Sequence, residues 1–510
     1  MAGLDLVVGS GPSGVAAASA LLDAGREVLM LDAGGSLEPE RAALVSRLAS
    51  RTPDRWTGEQ LARAYEPLDA GWAPKRAFGS SYPYSPAGRS GLDQRGTRCV
   101  VSEARGGLSS VWGAAVLPFP EDELGDWPLS PSDLRPHYAK AATLMGLSGV
   151  VDGLAASFPF HAPPLPPLPL SSQGQGALAR LDASSDPLAA AGFSWGRARH
   201  AASASRCREA ALCLSGCPYG AIWSAADALP LLASRAGFRY AGGVRALRVE
   251  RVASGVRVHA ARAGESRTVF DGARAFLACG PLATARLVLG SASTPPPELA
   301  LLAQPYFLLP LLLSGAPRAL EPRMHTLAQV FVELLDREVS PRRVHLQLYG
   351  HNEPIARVAA RLPGFVARRL EPRLAAIQGY LHSDMGAPIR LSSRGAGEDC
   401  RLTLEAGPRA RAKEATRRVV AKLSRHAREL GLRPLRPLLR HGLPGEGNHA
   451  GGVFPMRRAP GPWETDRLGR LAGEGVVHLV DSSVLPSLPA TTFTYAVMAN
   501  ASRIATEASR

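Results

Sequence analysis

Residues 4–32 read LDLVVGSGPSGVAAASALLDAGREVLMLD. Leu4 to Val8 form a continuous apolar strand, the pattern of a parallel sheet covered on both faces. Gly9, Gly11 and Gly14 follow as Gly-x-Gly-x-x-Gly. The first glycine allows a tight turn, the second lets the backbone approach a pyrophosphate, and the third lets helix and strand pack closely. Ser13 to Ala24 predicts a helix whose N-terminal N–H groups face the phosphates. A second strand, Glu27 to Leu31, ends at Asp32, placed to accept hydrogen bonds from an adenosine ribose. Strand, glycines, helix, second strand and acidic end stand in register, which argues against a merely structural loop. The motif alone does not choose between FAD and NAD.

Three later segments bear on that choice. Ala104 to Phe119, ARGGLSSVWGAAVLPF, is rich in small residues and offers backbone N–H groups to a large planar ligand. Residues 274–290, RAFLACGPLATARLVLG, read as strand, Cys-Gly turn and helix. Residues 476–505, VVHLVDSSVLPSLPATTFTYAVMANASRIA, read as a strand ending at Asp481, a proline-bounded turn and a final helix.

In this order, the four segments resemble the GMC (glucose–methanol–choline) oxidoreductase family. The resemblance implies FAD as cofactor. Gly9, Gly11, Gly14 and Asp32 would hold its ADP half, and Val244 would lie by the adenine. Gly106, Gly107, Gly113 and Ala114 would border the isoalloxazine, and Asp481 and Ser482 would complete the pocket. The implied fold is α/β, a Rossmann-like FAD-binding domain with an inserted α+β substrate domain built on an antiparallel sheet. The FAD-binding domain is expected in three parts, 1–155, 201–292 (with a Cys-rich loop) and 441–510. Residues 156–200 would be a linker opening the substrate domain, which would continue over 293–440. Thr326 to Leu335 and Arg343 to Tyr349 alternate polar and apolar residues, as strands with one wet face do, and one face of that sheet would roof the flavin. The Pro-rich stretch Phe158 to Leu170 cannot be regular structure.

Oxidation of an alcohol by a flavin needs loss of the hydroxyl proton and departure of hydride to flavin N5. A histidine poised as base assists the first. The family places one just before a glycine-rich segment near the C-terminus, and NHAGGVFPMR puts His449 there. A second His or Asn usually opens the family's final helix, but here the position falls on Thr492. A threonine hydroxyl can orient an alkoxide but cannot act as a base near neutrality. Asn500, later in that helix, reads as structural. The implied activity is dehydrogenation of an alcohol, with a sugar or glycoside among the candidates. The Thr492 departure keeps open a non-catalytic or electron-carrying flavoprotein subunit of a larger complex, and a flavin-dependent desaturase is a further alternative.

The run RCREAALCLSGCPYGAIW spaces Cys207, Cys213 and Cys217 as C-x5-C-x3-C before Pro218. The bacterial ferredoxin pattern C-x2-C-x2-C-x3-C-P fits it, with Ala210 in the second cysteine's place. Three thiolates suit a 3Fe-4S iron–sulfur cluster. The spacing resembles bacterial FAD-dependent glucose dehydrogenase catalytic subunits, GMC members whose cluster passes electrons to an external acceptor, a protein or a quinone. Buried thiols without metal, or zinc shared with His200, are the alternatives.

The chain has 510 residues, 45% apolar and 20% charged, the composition of an ordinary globular protein with room for two domains. Its formal charge of +15 is almost wholly arginine. These arginines are scattered without interleaved aromatics, so nucleic acid is not expected as a partner. No secretory signal precedes the first motif, and a cytoplasmic location is the expectation. The longest apolar run, Leu299 to Ala316, contains Gln304, Pro305 and Pro310. Two prolines would break a spanning helix, so a buried strand and turn is expected, with membrane contact the lesser reading.

Overall fold

The computed structural model describes residues 3–68, 75–262, 267–315, 317, 319–321, 323–360, 363–473 and 475–510. Leu4–Val8, apolar but for Asp5 and buried throughout, becomes the middle strand of a five-stranded parallel sheet. Glu27–Asp32 and then Phe238–Gly242 pair on one side of it; Arg274–Leu277 and then Val477–Leu479 pair on the other. Three widely separated parts of the chain therefore meet in one sheet. The helix Pro12–Asp23 opens with Pro at its first position, where a missing N–H costs nothing. It packs on the final helix, Thr494–Ala508, which in turn packs on Pro131–Met145. This is the parallel-sheet layer read from the first strand.

A second layer is antiparallel. Leu432–Pro434, Tyr306–Leu313, Leu374–Leu381, Val344–Tyr349, Val330–Leu334 and Phe193–Arg197 lie side by side in that order. The apolar run from Leu299 is two strands, Leu299–Ala303 and Tyr306–Leu313, parted at Gln304 and Pro305; Ala316 lies outside the described residues. Pro310 falls where the neighbouring strand changes, between pairing with Arg440–His441 and pairing with Leu432–Pro434. A residue without an N–H is tolerated at such a gap. Phe158 to Leu170 contains no helix or strand.

The polar face of that sheet is not wet. Val330, Val332, Leu334, Val344, Leu346 and Leu348 face an apolar core that includes Val419, Val420 and Leu423 of the helix Ala410–Arg425. The alternate residues Glu333, His345 and Gln347 are buried as well. Alternation marks two faces correctly, but here the polar one turns inward. Among the described residues, no helix is long and apolar enough to cross a membrane.

Asp5, fully buried in the middle strand, ties together three neighbouring strands of the parallel sheet. It pairs with Arg26 at 3.0 Å and with Arg274 at 2.7 Å. Removing one member of a buried pair leaves the other charges uncompensated. Asp5→Ala is therefore expected to lower the free energy of unfolding by about 3 kcal/mol, read from denaturant unfolding.

Candidate functional site

The first strand ends at Gly9, whose N–H donates to the carbonyl of Leu31 at 2.8 Å. A Cβ on Gly14 would stand 2.0 Å from the Gly9 carbonyl oxygen, and one on Gly9 2.6 Å from that of Ala278. The helix start, the first turn and the end of the Arg274–Leu277 strand are thus in backbone contact. Gly11 differs: a Cβ there would meet nothing within 4 Å. Its open side faces a cavity at a helix N-terminus, the position where backbone N–H groups bind phosphate. Asp32 accepts hydrogen bonds from the Ser10 N–H at 3.1 Å and the Tyr240 hydroxyl at 2.8 Å. Burial pushes its pKa up, and those two bonds pull it back.

The cavity has a volume of 1290 Å³, above the roughly 300–1,000 Å³ of a common small-ligand site. It runs from Gly9, Gly11 and Asp32 past Gly107, Gly113 and Ala114 to His449 and Thr492, with Val244, Asp481 and Ser482 also on its walls. Gly14 and Gly106 are packing positions behind it; a Cβ on Gly106 would lie 2.7 Å from the Ala226 nitrogen. The Asp481 carboxylate is engaged by protein, accepting from Gly280 N–H and Ser483 N–H at 2.9 Å each and from the Thr284 hydroxyl. It ties the last strand to the helix Pro281–Ser291. Length, apolar walls and an open phosphate position fit a dinucleotide carrying a large planar ring.

At the far end, His449 lines the cavity with Nδ1 2.6 Å from Gln304 Oε1. Its ring lies against Tyr380, centroids 4.9 Å apart, and meets Phe493 edge-on at 5.0 Å. Burial pushes its pKa down to about 3, with His345 adding to the effect. The imidazole is therefore neutral through the physiological range. Thr492 lines the same cavity, and its Oγ1 accepts the Leu117 N–H at 3.1 Å, leaving its own proton to donate. Asn500 holds Arg503 through its amide oxygen, away from the cavity, a structural role.

The roof is a buried polar chain. His345 Nδ1 is 2.5 Å from Glu333, Gln347 Nε2 is 3.0 Å from His345 Nε2, and the Tyr349 hydroxyl donates to Gln347 Oε1 at 2.9 Å. Gln347 and Tyr349 face the cavity. Lys75 also lines it, donating to the Trp112 carbonyl at 3.0 Å, with its pKa brought down to about 8 by burial. From the sequence, Gln304, Glu333, His345 and Lys75 had no expected role at the site. For Gln304 a signal existed, because an amide inside an apolar run must find partners when buried.

Cys207, Cys213 and Cys217 do converge, lining one small pocket with His325 and apolar side chains. Its volume is 20 Å³, room for about one water. Backbone N–H groups of Ala221 and Thr326 point at Cys217 Sγ (3.3 Å) and Cys213 Sγ (3.4 Å). Burial pushes the Cys207 thiol up to about 11 and raises Cys213. Among the described residues, no three His, Cys, Asp or Glu side chains gather around a metal-ion position. His200, the proposed zinc partner, lies outside this pocket against His325 and Phe331. The expected 3Fe-4S cluster gains no support from this geometry, and the zinc reading is corrected: the histidine near the thiols is His325.

The two glycines separate binding from folding. Gly14→Ala is expected to destabilise the protein by about 3 kcal/mol through overpacking against Gly9. Gly11→Ala should unfold like the wild type while binding a flavin dinucleotide about 10-fold more weakly, as its methyl enters the cavity. Thermal unfolding of the apoprotein and fluorescence titration with FAD measure the two effects.

No family model matches the chain, and no curated protein matches it by sequence. Solved structures do match. Pyridoxine 4-oxidase from Mesorbium loti superposes with a TM-score of 0.62 at 16% identity, covering 99% of this chain and 98% of that one. The chain therefore shares the fold of that oxidase over 99% of its residues.

Proposed function

We propose that this chain is an FAD-dependent oxidoreductase of the GMC type that acts on CH–OH groups, with His449 as the base. One observation carries the reading: a single cavity joins the glycine turn and Asp32 at one end to His449 and Thr492 at the other. The four family-like segments all contribute residues to its walls, and the shared fold with an oxidase agrees with it.

Gly9, Gly11 and Asp32 would hold the ADP half, and Gly107, Gly113 and Ala114 would flank the ring. Bound FAD supplies a two-electron acceptor for the carbinol hydride. The chain's own residues do the rest. His449, neutral because buried, accepts the hydroxyl proton. Thr492 donates a hydrogen bond toward the substrate oxygen while the Leu117 N–H fixes its position. Tyr306, Gln347, Tyr349 and Gln378 give the roof polar groups, which suits a polyhydroxylated substrate such as a sugar or glycoside. The apolar remainder excludes water from the reacting end.

A second reading concerns the acceptor. The C-x5-C-x3-C spacing of Cys207, Cys213 and Cys217, and not the small pocket they line, is what supports electron transfer through a cluster to a protein or quinone. Stoichiometric iron with a brown shoulder in protein purified without air would establish it. Flavin bands without iron would remove it.

Anaerobic mixing with a panel of alcohols and sugars tests the main reading, the expected outcome being bleaching of the flavin band by at least one of them. His449→Ala should slow that bleaching by about 10²–10⁴-fold with flavin still bound; unchanged bleaching would refute the role. The pH profile gives an independent check. A base whose pKa lies at about 3 stays unprotonated as pH falls through 6.5. The reduction rate should therefore show no acid limb near 6.5 and hold to about pH 4.

A further inference from the structure

We propose that Gln304 is the positioning residue that fixes the tautomer of His449, leaving Nε2 as the nitrogen able to accept a proton in the cavity. The proposal rests on the reading of His449 as base and adds what orients it.

Gln304 is 2% exposed and sits at the break between the strands Leu299–Ala303 and Tyr306–Leu313. Its side-chain Nε2 donates to the carbonyl oxygens of Pro489 and Thr491, the latter at 2.8 Å. Carbonyl oxygens only accept, so the NH₂ end of the amide must lie there. Turning the amide over would set its oxygen against two oxygens and leave both NH₂ protons facing the imidazole. The orientation places Oε1, which carries no proton, 2.6 Å from His449 Nδ1. Nδ1 must therefore be the donor. A neutral imidazole has one N–H, so Nε2 carries the lone pair.

Main-chain contacts hold the pair in place. The Gln304 N–H donates to the His449 carbonyl at 3.1 Å, and Ala303 pairs with Ala450. The two carbonyls bound by the amide belong to the turn that presents Thr492. One side chain thus registers both groups of the reacting wall. A carboxamide also does this without adding charge. A carboxylate at the same place would favour the imidazolium and raise the pH at which the base is lost. When the substrate hydroxyl loses its proton to Nε2, Nδ1 keeps its own and still donates to Oε1.

Holoenzyme labelled with ¹⁵N-histidine, the His449 signals assigned by their loss in His449→Ala, reads the tautomer directly. The wild type should show protonated Nδ1 and unprotonated Nε2. Gln304→Met should give a mixed signature and a kcat lowered about 100-fold, with KM and flavin content unchanged. Gln304→Glu should keep Nδ1–H but raise the acid limb of the pH profile by about one unit or more. A wild-type signature with Nε2–H would overturn the proposal. So would a Gln304→Met enzyme with wild-type nitrogen shifts and pH profile. If Gln304→Met fails to fold, the wild-type spectrum and the Gln304→Glu profile still decide. Full activity in His449→Ala would instead sink the base reading, while the nitrogen shifts would still report on the lock.

Discussion

The carbonyl oxygen of Gly9 stands 2.0 Å from where a Cβ on Gly14 would be, and the rest of the site depends on that contact. It brings the first turn of the Pro12–Asp23 helix onto the end of the middle strand. The helix N-terminus then opens on the cavity floor beside Asp32. A larger residue at position 14 would lift the helix and move the phosphate position, and the far end of a rigid ligand would move with it. This close backbone packing thus sets the distance over which the proposed dinucleotide would reach His449.

The opposite end is organised by polar groups removed from water. Such groups are costly unless paired, and here pairing determines chemistry. Gln304 holds His449 through one end of its amide and the Pro489–Thr491 turn through the other. Glu333, His345, Gln347 and Tyr349 form a second chain across the roof. Both chains come from strands of the antiparallel layer or its edge, so that layer supplies orientation while the parallel layer supplies the cavity floor.

The parallel layer was legible in the sequence because its signals are local. A buried strand, three glycines and a helix fall within some twenty residues, and a side chain's identity reveals its backbone role. The place of His449 on the cavity wall was legible because it stands in a recognisable segment. The lock on it was not, since Gln304 lies 145 residues away and no spacing rule links the two. The supposedly wet sheet face failed for another reason. Alternation reports that a strand has a polar side, not what covers it, and Glu333 and His345 cover each other. The cysteine spacing correctly brought three thiols to one pocket. It could not report the pocket's volume, which is what limits a cluster. Thr492 stands on the cavity wall as its sequence position implied, with its acceptor side already engaged by Leu117.

In the proposed site a flavin ring lies beside His449 and takes hydride from a carbinol. Stopped-flow reduction of the bound flavin, comparing a bleaching alcohol with its isotopologue deuterated at the carbinol carbon, tests it most directly. Hydride transfer in this cavity predicts that the deuterated alcohol bleaches the flavin more slowly. Bleaching that is equally fast with both, or protein that carries no flavin to bleach, would contradict it.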